Sequence, residues 1–210
     1  HNVAIGHAAL EAQNPATAVD MYNTAVGSLA GNAVTTGSSN TLIGGLAGDA
    51  LTTGINNIAV GVSALTTDTA GRYSSAFGNG ALAIQNFSTT TDTYNTAVGY
   101  SAGNVLTTGV QNTFVGALAA DAITDADFNV ALGTYALTND TMGSRSTAIG
   151  WNTLAAQNFS TATDSNNTAV GSSAGSSITT GIQNTFVGAL SGDGTDDGVD
   201  NTAVGYLALS

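Results

Sequence analysis

A five-residue unit, Asn-Thr-Ala-Val-Gly and its variants, recurs along the whole chain at fixed intervals. Its glycine, called the motif glycine below, stands at Gly6, Gly27, Gly44, Gly61, Gly78, Gly99, Gly116, Gly133, Gly150, Gly171, Gly188 and Gly205. The spacings between successive motif glycines are 21, 17, 17 and 17, and the series then repeats, which gives a second, 72-residue period. Such nested periods predict a tandem repeat whose short units stack on one another.

The 72-residue period is also visible in the side chains. The residue two before the motif glycine is usually Ala, and the exceptions lie 72 apart, at Leu42, Phe114 and Phe186. Each 21-residue unit carries a Gln-Asn insert that leads to an acid, at Asp20, Asp92 and Asp164. We interpret residues 1–210 as a single repeat array with super-repeats at approximately 3–74, 75–146 and 147–210. Because the sequence opens and stops inside a unit, we expect a fragment of a longer fibre.

The residue types of the unit predict a short strand that ends in a turn. The residue before the motif glycine is always apolar, and the residue three before it is β-branched in every unit except at Ser75. Glycine then permits a backbone angle that a Cβ would resist. Asn stands four residues before the glycine in ten of the twelve units, where it can form hydrogen-bonded ladders between units.

A unit of this length has no room for a strand and a crossover helix, so the units must stack directly. The predicted fold is all-β, a parallel β-solenoid of about twelve coils and roughly 55 Å in length, with the inserts repeating about every 19 Å. Neither face of the Thr-Ala-Val strand is strongly polar. One face should line the coil interior, and we expect the other to pack on further copies of the chain in a homotrimer. A monomeric solenoid with a dry, Ala-rich face is the alternative.

The composition excludes several classes of partner. Fourteen acids stand against two cations, Arg72 and Arg145, so the net charge is −12, and the chain has no cationic cluster to bind nucleic acid or an anionic bilayer. The absence of Cys removes disulfides and thiolate metal sites. No stretch approaches the roughly 20 apolar residues of a membrane span, so membrane insertion is not expected.

The segment Asn-Thr-Ala-Val-Gly-Tyr-Ser-Ala at 95–102 and its counterparts resemble two groups of repeats. They are similar to the head repeats of trimeric autotransporter adhesins of the YadA type, and more similar to the longer repeats of phage tail fibres. The resemblance covers essentially the whole chain and implies a left-handed parallel β-roll in a homotrimer. The 17-residue and 21-residue units exceed the shorter coil of the adhesin heads, which favours the tail-fibre assignment.

Catalytic motifs are weak in this sequence. Two segments, 99–103 and 171–175, match the Gly-x-Ser-x-Gly pattern of nucleophilic serines, but the equivalent residue of another unit is Leu29. A real nucleophile elbow also needs a helix after the turn and a histidine partner, and the only histidines are His1 and His7 in the first unit. We therefore expect no catalytic residues and no enzyme activity.

Two groups of residues are candidates for binding. Asp193, Asp196, Asp197 and Asp200 alternate with glycines and suggest a weak calcium site, with a solvated acidic turn as the alternative and no other cofactor expected. Aromatic residues of the inserts and of the position after the motif glycine are candidate receptor contacts: Phe87, Phe159, Tyr100, Trp151 and Tyr206. The alternative is that these aromatics are scattered over the surface without a function.

The leading functional hypothesis is a structural and receptor-binding fibre on a virion surface or in the extracellular space. It would attach by many weak contacts to a host cell-surface glycan or protein. A phage tail fibre is the first assignment and a bacterial surface adhesin head is the second. An ice-binding solenoid is a further alternative, because eight Thr share one column, although Val3, Ile58 and Val130 interrupt it. A spacer that binds nothing is the remaining one.

Overall fold

The computed structural model describes residues 1–15, 17 and 19–210. The described chain is an all-β parallel solenoid of about twelve turns and contains no helix. Twelve three-residue strands form one sheet: β1 Val3–Ile5, β2 Thr24–Val26, β3 Thr41–Ile43, β4 Ile58–Val60, β6 Ser75–Phe77, β8 Thr96–Val98, β9 Thr113–Val115, β10 Val130–Leu132, β12 Thr147–Ile149, β14 Thr168–Val170, β15 Thr185–Val187 and β16 Thr202–Val204. Accordingly, no helix of the described chain is long and apolar enough to cross a membrane.

Two small sheets accompany the second and third inserts. Strand β5, Gly71–Arg72, pairs with β7, Thr91–Asp92, and the same arrangement recurs one super-repeat later between β11, Gly143–Ser144, and β13, Thr163–Asp164. The second and third inserts therefore each return to the preceding coil before the next strand of the main sheet begins. We call the 21-residue turns, which start at Gly6, Gly78 and Gly150, the long coils.

Every neighbouring pair of main-sheet strands is parallel and in register with the sequence repeat. Between β2 and β3, for example, Thr24 pairs with Thr41 and Val26 pairs with Ile43. The motif glycines consequently lie in a file, and a Cβ on Gly99 would stand 2.4 Å from the carbonyl oxygen of Gly116. This close approach, together with a φ of 141° at Gly99, explains why no other residue occupies the position.

The core is a thin column in which large and small inward side chains compensate one another within each super-repeat. The middle residue of each strand points inward and is buried from β2 onwards. Where that residue is the large Phe114, the residue four after the preceding motif glycine is Gly103, whose Cβ would lie 2.6 Å from the ring. Where the strand centre is Ala97, the corresponding position holds the buried Leu82. Each large strand centre is thus flanked by small residues at the other inward position, which accounts for the 72-residue period in the core.

The predicted asparagine ladder is confirmed. Asn40 is buried, its Nδ2 donates to the carbonyl of Gly54, and its Oδ1 accepts from the backbone N of Asn57. The same two bonds recur from coil to coil, so each side chain satisfies backbone groups that stacking alone leaves unpaired. The ladder stops at Ser74 and Ser146, one strand before the second and third inserts.

A buried carboxylate replaces the ladder at these two places. The Asp68 carboxylate accepts hydrogen bonds from the backbone N of Gly71 at 3.0 Å and from Nε2 of Gln85 at 2.6 Å. Nε2 of Gln85 also contacts Ser74 Oγ, while its Oε1 accepts from Asn95 at 2.9 Å. Burial raises the pKa of Asp68, because the interior solvates the charge poorly. Asp140 and Gln157 repeat the arrangement in the next super-repeat.

Candidate functional site

Charge is confined to one side of each coil. The nine positions from four before to four after each motif glycine contain no Asp, Glu, Lys or Arg in any of the twelve units. All fourteen acids and both arginines lie in the remaining part of the coil. We call these two parts the uncharged side and the charged side. The separation means that the two sides of the rod present different chemistry to whatever surrounds them.

The uncharged side carries the outer face of the main sheet. Residues three before and one before the motif glycine point outward, and the inward residue between them is buried. The outer face is therefore a file of Thr, interrupted by Val3, Ile58, Ser75 and Val130, beside a file of Val, Ile, Leu or Phe that runs the length of the sheet. With a strand spacing of about 4.8 Å it is roughly 55 Å long. Such a continuous apolar file is unusual on a surface that only water contacts.

Aromatic residues also collect in a column at the border of the charged side. The position five before the motif glycine holds Tyr22, Tyr73, Tyr94 and Phe128, all with a left-handed backbone and φ between 50° and 61°. Sequence reasoning missed this column. Aligning every unit on its motif glycine would have found it, because all four aromatic residues stand five residues before a motif glycine.

The most complete cluster in this column combines Arg72, Tyr73, Asp92 and Tyr94, which we call the tyrosine station. The two tyrosine rings stack, with centroids 5.2 Å apart and planes inclined by 7°. They are 37% and 53% exposed. The Asp92 carboxylate lies 3.7 Å from Arg72 Nη1 and 3.5 Å from the Tyr94 hydroxyl, and its charge raises the pKa of Tyr94.

Related clusters occupy the same place at the other two long coils. In the first, His1 stacks on Tyr22 at 5.6 Å, and Asp20 contacts both side chains at 3.2 Å. In the third, Arg145 pairs with Asp164 at 3.1 Å and lies over the ring of Phe128. An acid from each long coil is therefore always placed beside aromatic or cationic side chains of the column.

The predicted receptor-contact residues divide into two groups. Tyr100, Trp151 and Tyr206 are 59%, 55% and 72% exposed and lie in one column, with successive members three coils, or about 14 Å, apart. Phe87 and Phe159 are only 7% and 6% exposed.

The expectation that both insert phenylalanines are accessible is wrong. Their backbone N atoms donate to the buried carboxylates of Asp68 and Asp140, at 3.1 and 3.2 Å, which turns each ring towards the coil stack. The exposed tip of each insert is formed instead by the residues that follow, 88–90 and 160–162.

The acidic residues near the end of the chain do not converge on a metal position. No group of three or more Asp, Glu or His suited to a metal ion occurs among the described residues. Asp196 accepts a hydrogen bond from the Thr179 hydroxyl, whereas Asp200 lies in the same column as Tyr94.

The serine motifs lie in turns. Ser101 and Ser173 both have a left-handed backbone, with φ of 51° and 54°, and neither is followed by a helix. The described part of the chain also forms no pocket.

Comparison with protein-family models, with curated proteins and with solved structures finds no match to this chain. The repeating β-solenoid is compatible with repeat-type fibre proteins.

Proposed function

We propose that the chain is a structural and receptor-binding segment of a fibre that attaches to a host cell surface. The observation that carries the proposal is the uncharged side, which runs without interruption along all twelve units. A free rod with net charge −12 would gain nothing from keeping an apolar file in water. Packed against the same file of further copies, that surface becomes the core of a stiff fibre.

The size of the uncharged face suits self-association. The outer positions of each strand and the residue after the glycine span about 13 Å, so over a length of roughly 55 Å the face measures on the order of 700 Å². A stable interface buries about 800 Å² per partner. The area suits association with further copies of the chain, and the resemblance to trimeric fibre repeats leads us to propose a homotrimer in which the uncharged sides meet and the charged sides face the solvent.

A phage tail fibre is the first candidate within this class and a bacterial surface adhesin head is the second. Both use a rigid rod that repeats the same weak contact many times, so that the contacts add to a strong attachment. The long, 17-residue and 21-residue solenoid units favour the tail fibre. The proposed location is accordingly the virion surface or the outside of a cell.

The oligomer is tested by measuring the mass of the folded chain in solution, by light scattering after size exclusion. The expected mass is three times 20.6 kDa. Val98→Asp places a charge in the middle of the outer apolar file and should yield monomers, because the carboxylate would be buried without a partner. Ser176→Asp is the matched control, since Asp49, Asp121 and Asp193 stand at the same position of their coils. A monomeric wild-type chain would contradict the proposal.

Ice binding is a second candidate, supported by the alignment of the Thr file and the apolar file on one continuous sheet face. The two functions compete for this face, because a trimer would bury it. Thermal hysteresis measured on the monomeric wild-type chain would favour ice binding. A trimer without thermal hysteresis would favour the fibre.

A further inference from the structure

We infer that the tyrosine station of Arg72, Tyr73, Asp92 and Tyr94 is a binding site for a neutral saccharide. This inference rests on the proposed function and names the receptor chemistry that the fibre would recognise. It places the receptor contact on the charged side, which stays open to solvent when the uncharged sides associate.

The station offers the two kinds of surface that a sugar ring requires. The stacked rings of Tyr73 and Tyr94 remain partly open to solvent and provide an aromatic surface for the C–H groups of a pyranose. Asp92 and Arg72 lie beside the rings and can accept from and donate to sugar hydroxyls. A few oriented polar groups around an apolar platform are the usual composition of a small-ligand site.

The polar groups of the tyrosine station do not satisfy one another's hydrogen-bonding capacity. Arg72 Nη1 and Asp92 Oδ1 are 3.7 Å apart, which is longer than a hydrogen bond, and the Tyr94 hydroxyl lies 3.5 Å from the same carboxylate. Nε of Arg72 is buried and has no hydrogen-bond partner. By contrast, Arg145 and Asp164 approach to 3.1 Å at the third long coil. The middle station therefore has the most unused hydrogen-bonding capacity.

The aromatic residues are not required by the fold at this position. The backbone is left-handed in every column member named above, and Asn tolerates this conformation better than an aromatic residue does. Asn56 and Asn166 occupy the position in other coils with φ of 57° and 51°. Tyr at 73 and 94 is therefore less favourable for the backbone than Asn would be, which indicates that the rings serve contact with another molecule.

The charge of the chain selects among saccharides. All fourteen acids lie on the same side of the rod as the station, and the net charge is −12. Uronic and sialic acids would be repelled by this field, whereas neutral hexoses and hexosamine derivatives would not. The absence of a pocket in the described chain favours a polymer that lies across the surface over a small ligand enclosed by it.

The test is affinity electrophoresis of the wild-type chain in gels that contain neutral polysaccharides, namely mannan, galactan and dextran, with alginate as an acidic comparison. We expect at least one neutral polysaccharide to retard the chain and alginate not to retard it. Tyr73→Asn and Tyr94→Asn, combined in one variant, should weaken the retardation about tenfold in dissociation constant through the lost stacking. Both substitutions introduce the residue found naturally at Asn56 and Asn166, so the variant should fold.

Ile84→Ala is the matched control, because it removes an exposed apolar side chain from the same long coil and introduces the residue found at Ala12 and Ala156. It should leave the retardation unchanged. Equal loss in both variants, retardation by alginate alone, or no retardation by any neutral polysaccharide would overturn the inference. A trimeric chain that neutral polysaccharides retard equally with and without the Asn substitutions would overturn the saccharide site while leaving the fibre proposal intact. A monomeric chain would instead count against the fibre.

Discussion

At the scale of single residues, the motif glycine is the position with the least freedom. Its φ lies between 127° and 142° throughout the file, and in all but the last coil its missing side chain makes room for the carbonyl of the next coil. A side chain here would push neighbouring coils apart and would also strain the backbone. Successive coils lie only one strand spacing apart, so there is no room along the axis for a side chain.

Gly99→Ala should therefore destabilise the chain by roughly 3 kcal/mol, since a Cβ 2.4 Å from the Gly116 oxygen adds to the strain of its positive φ. Gly45→Ala is the control, because its Cβ would meet nothing closer than 3.9 Å and Ala117 stands at the equivalent place. Urea unfolding followed by circular dichroism measures both. Equal midpoints for the two variants would show that the glycine file is not as tightly packed as described.

At the scale of the coil, the core depends on pairs of inward positions and not on single residues. Phe114 fits because Gly103 and Ala120 are small, and the long Leu82 and Leu137 stand beside strand centres that are Ala. Replacing one member of a pair should leave a cavity or a clash. Replacing both members should restore the volume that another coil of the same chain already uses.

A double-mutant cycle tests this compensation. Phe114→Ala alone should cost about 3–5 kcal/mol through the cavity it leaves. Gly103→Leu alone should also destabilise, since its Cβ would meet the Phe114 ring at 2.6 Å. The double variant should be about 1–3 kcal/mol more stable than the sum of the two losses predicts, because the introduced leucine side chain would occupy the space of the ring. Strict additivity of the free energies of unfolding would refute the pairing.

At the scale of the whole molecule, the 72-residue super-repeat is the interchangeable piece. Each super-repeat contains one long coil and one large strand centre, and a buried Asp–Gln pair lies at each junction between two of them. Removing a complete super-repeat joins surfaces that already match. Removing a single coil brings together core residues that are never neighbours in this chain.

Deletion of residues 75–146 removes one complete super-repeat and should give a folded rod that is four coils, or about 19 Å, shorter. Deletion of residues 96–112 also preserves the strand register, but it would bring Leu82 against Phe114 and should lower stability by about 1–3 kcal/mol through overpacking. Small-angle scattering measures the length and urea unfolding measures the stability. A single-coil deletion as stable as the wild-type chain would show that the super-repeat has no structural meaning.

Much of the fold was predictable from the spacing of one glycine. The parallel register, the number of coils, the inward Ala and the Asn ladder all follow from a short unit that can bury its apolar residues only by stacking. The exposure of Tyr100, Trp151 and Tyr206 could be expected too, because their position tolerates every kind of residue.

The grouping of side chains into local clusters could not be predicted, because it depends on contacts between coils, and the spacing along the chain does not encode those contacts. Asp68 and Gln85 stand in adjacent coils, and only their burial side by side shows that they replace the ladder and turn Phe87 inward. The stacking of Tyr73 on Tyr94 likewise depends on left-handed turns that hold both rings outward in adjacent coils. The repeat spacing thus predicts the stack and its period. Which side chains face solvent together depends on turn geometry and on the packing of one coil upon the next, so only the tertiary structure shows it.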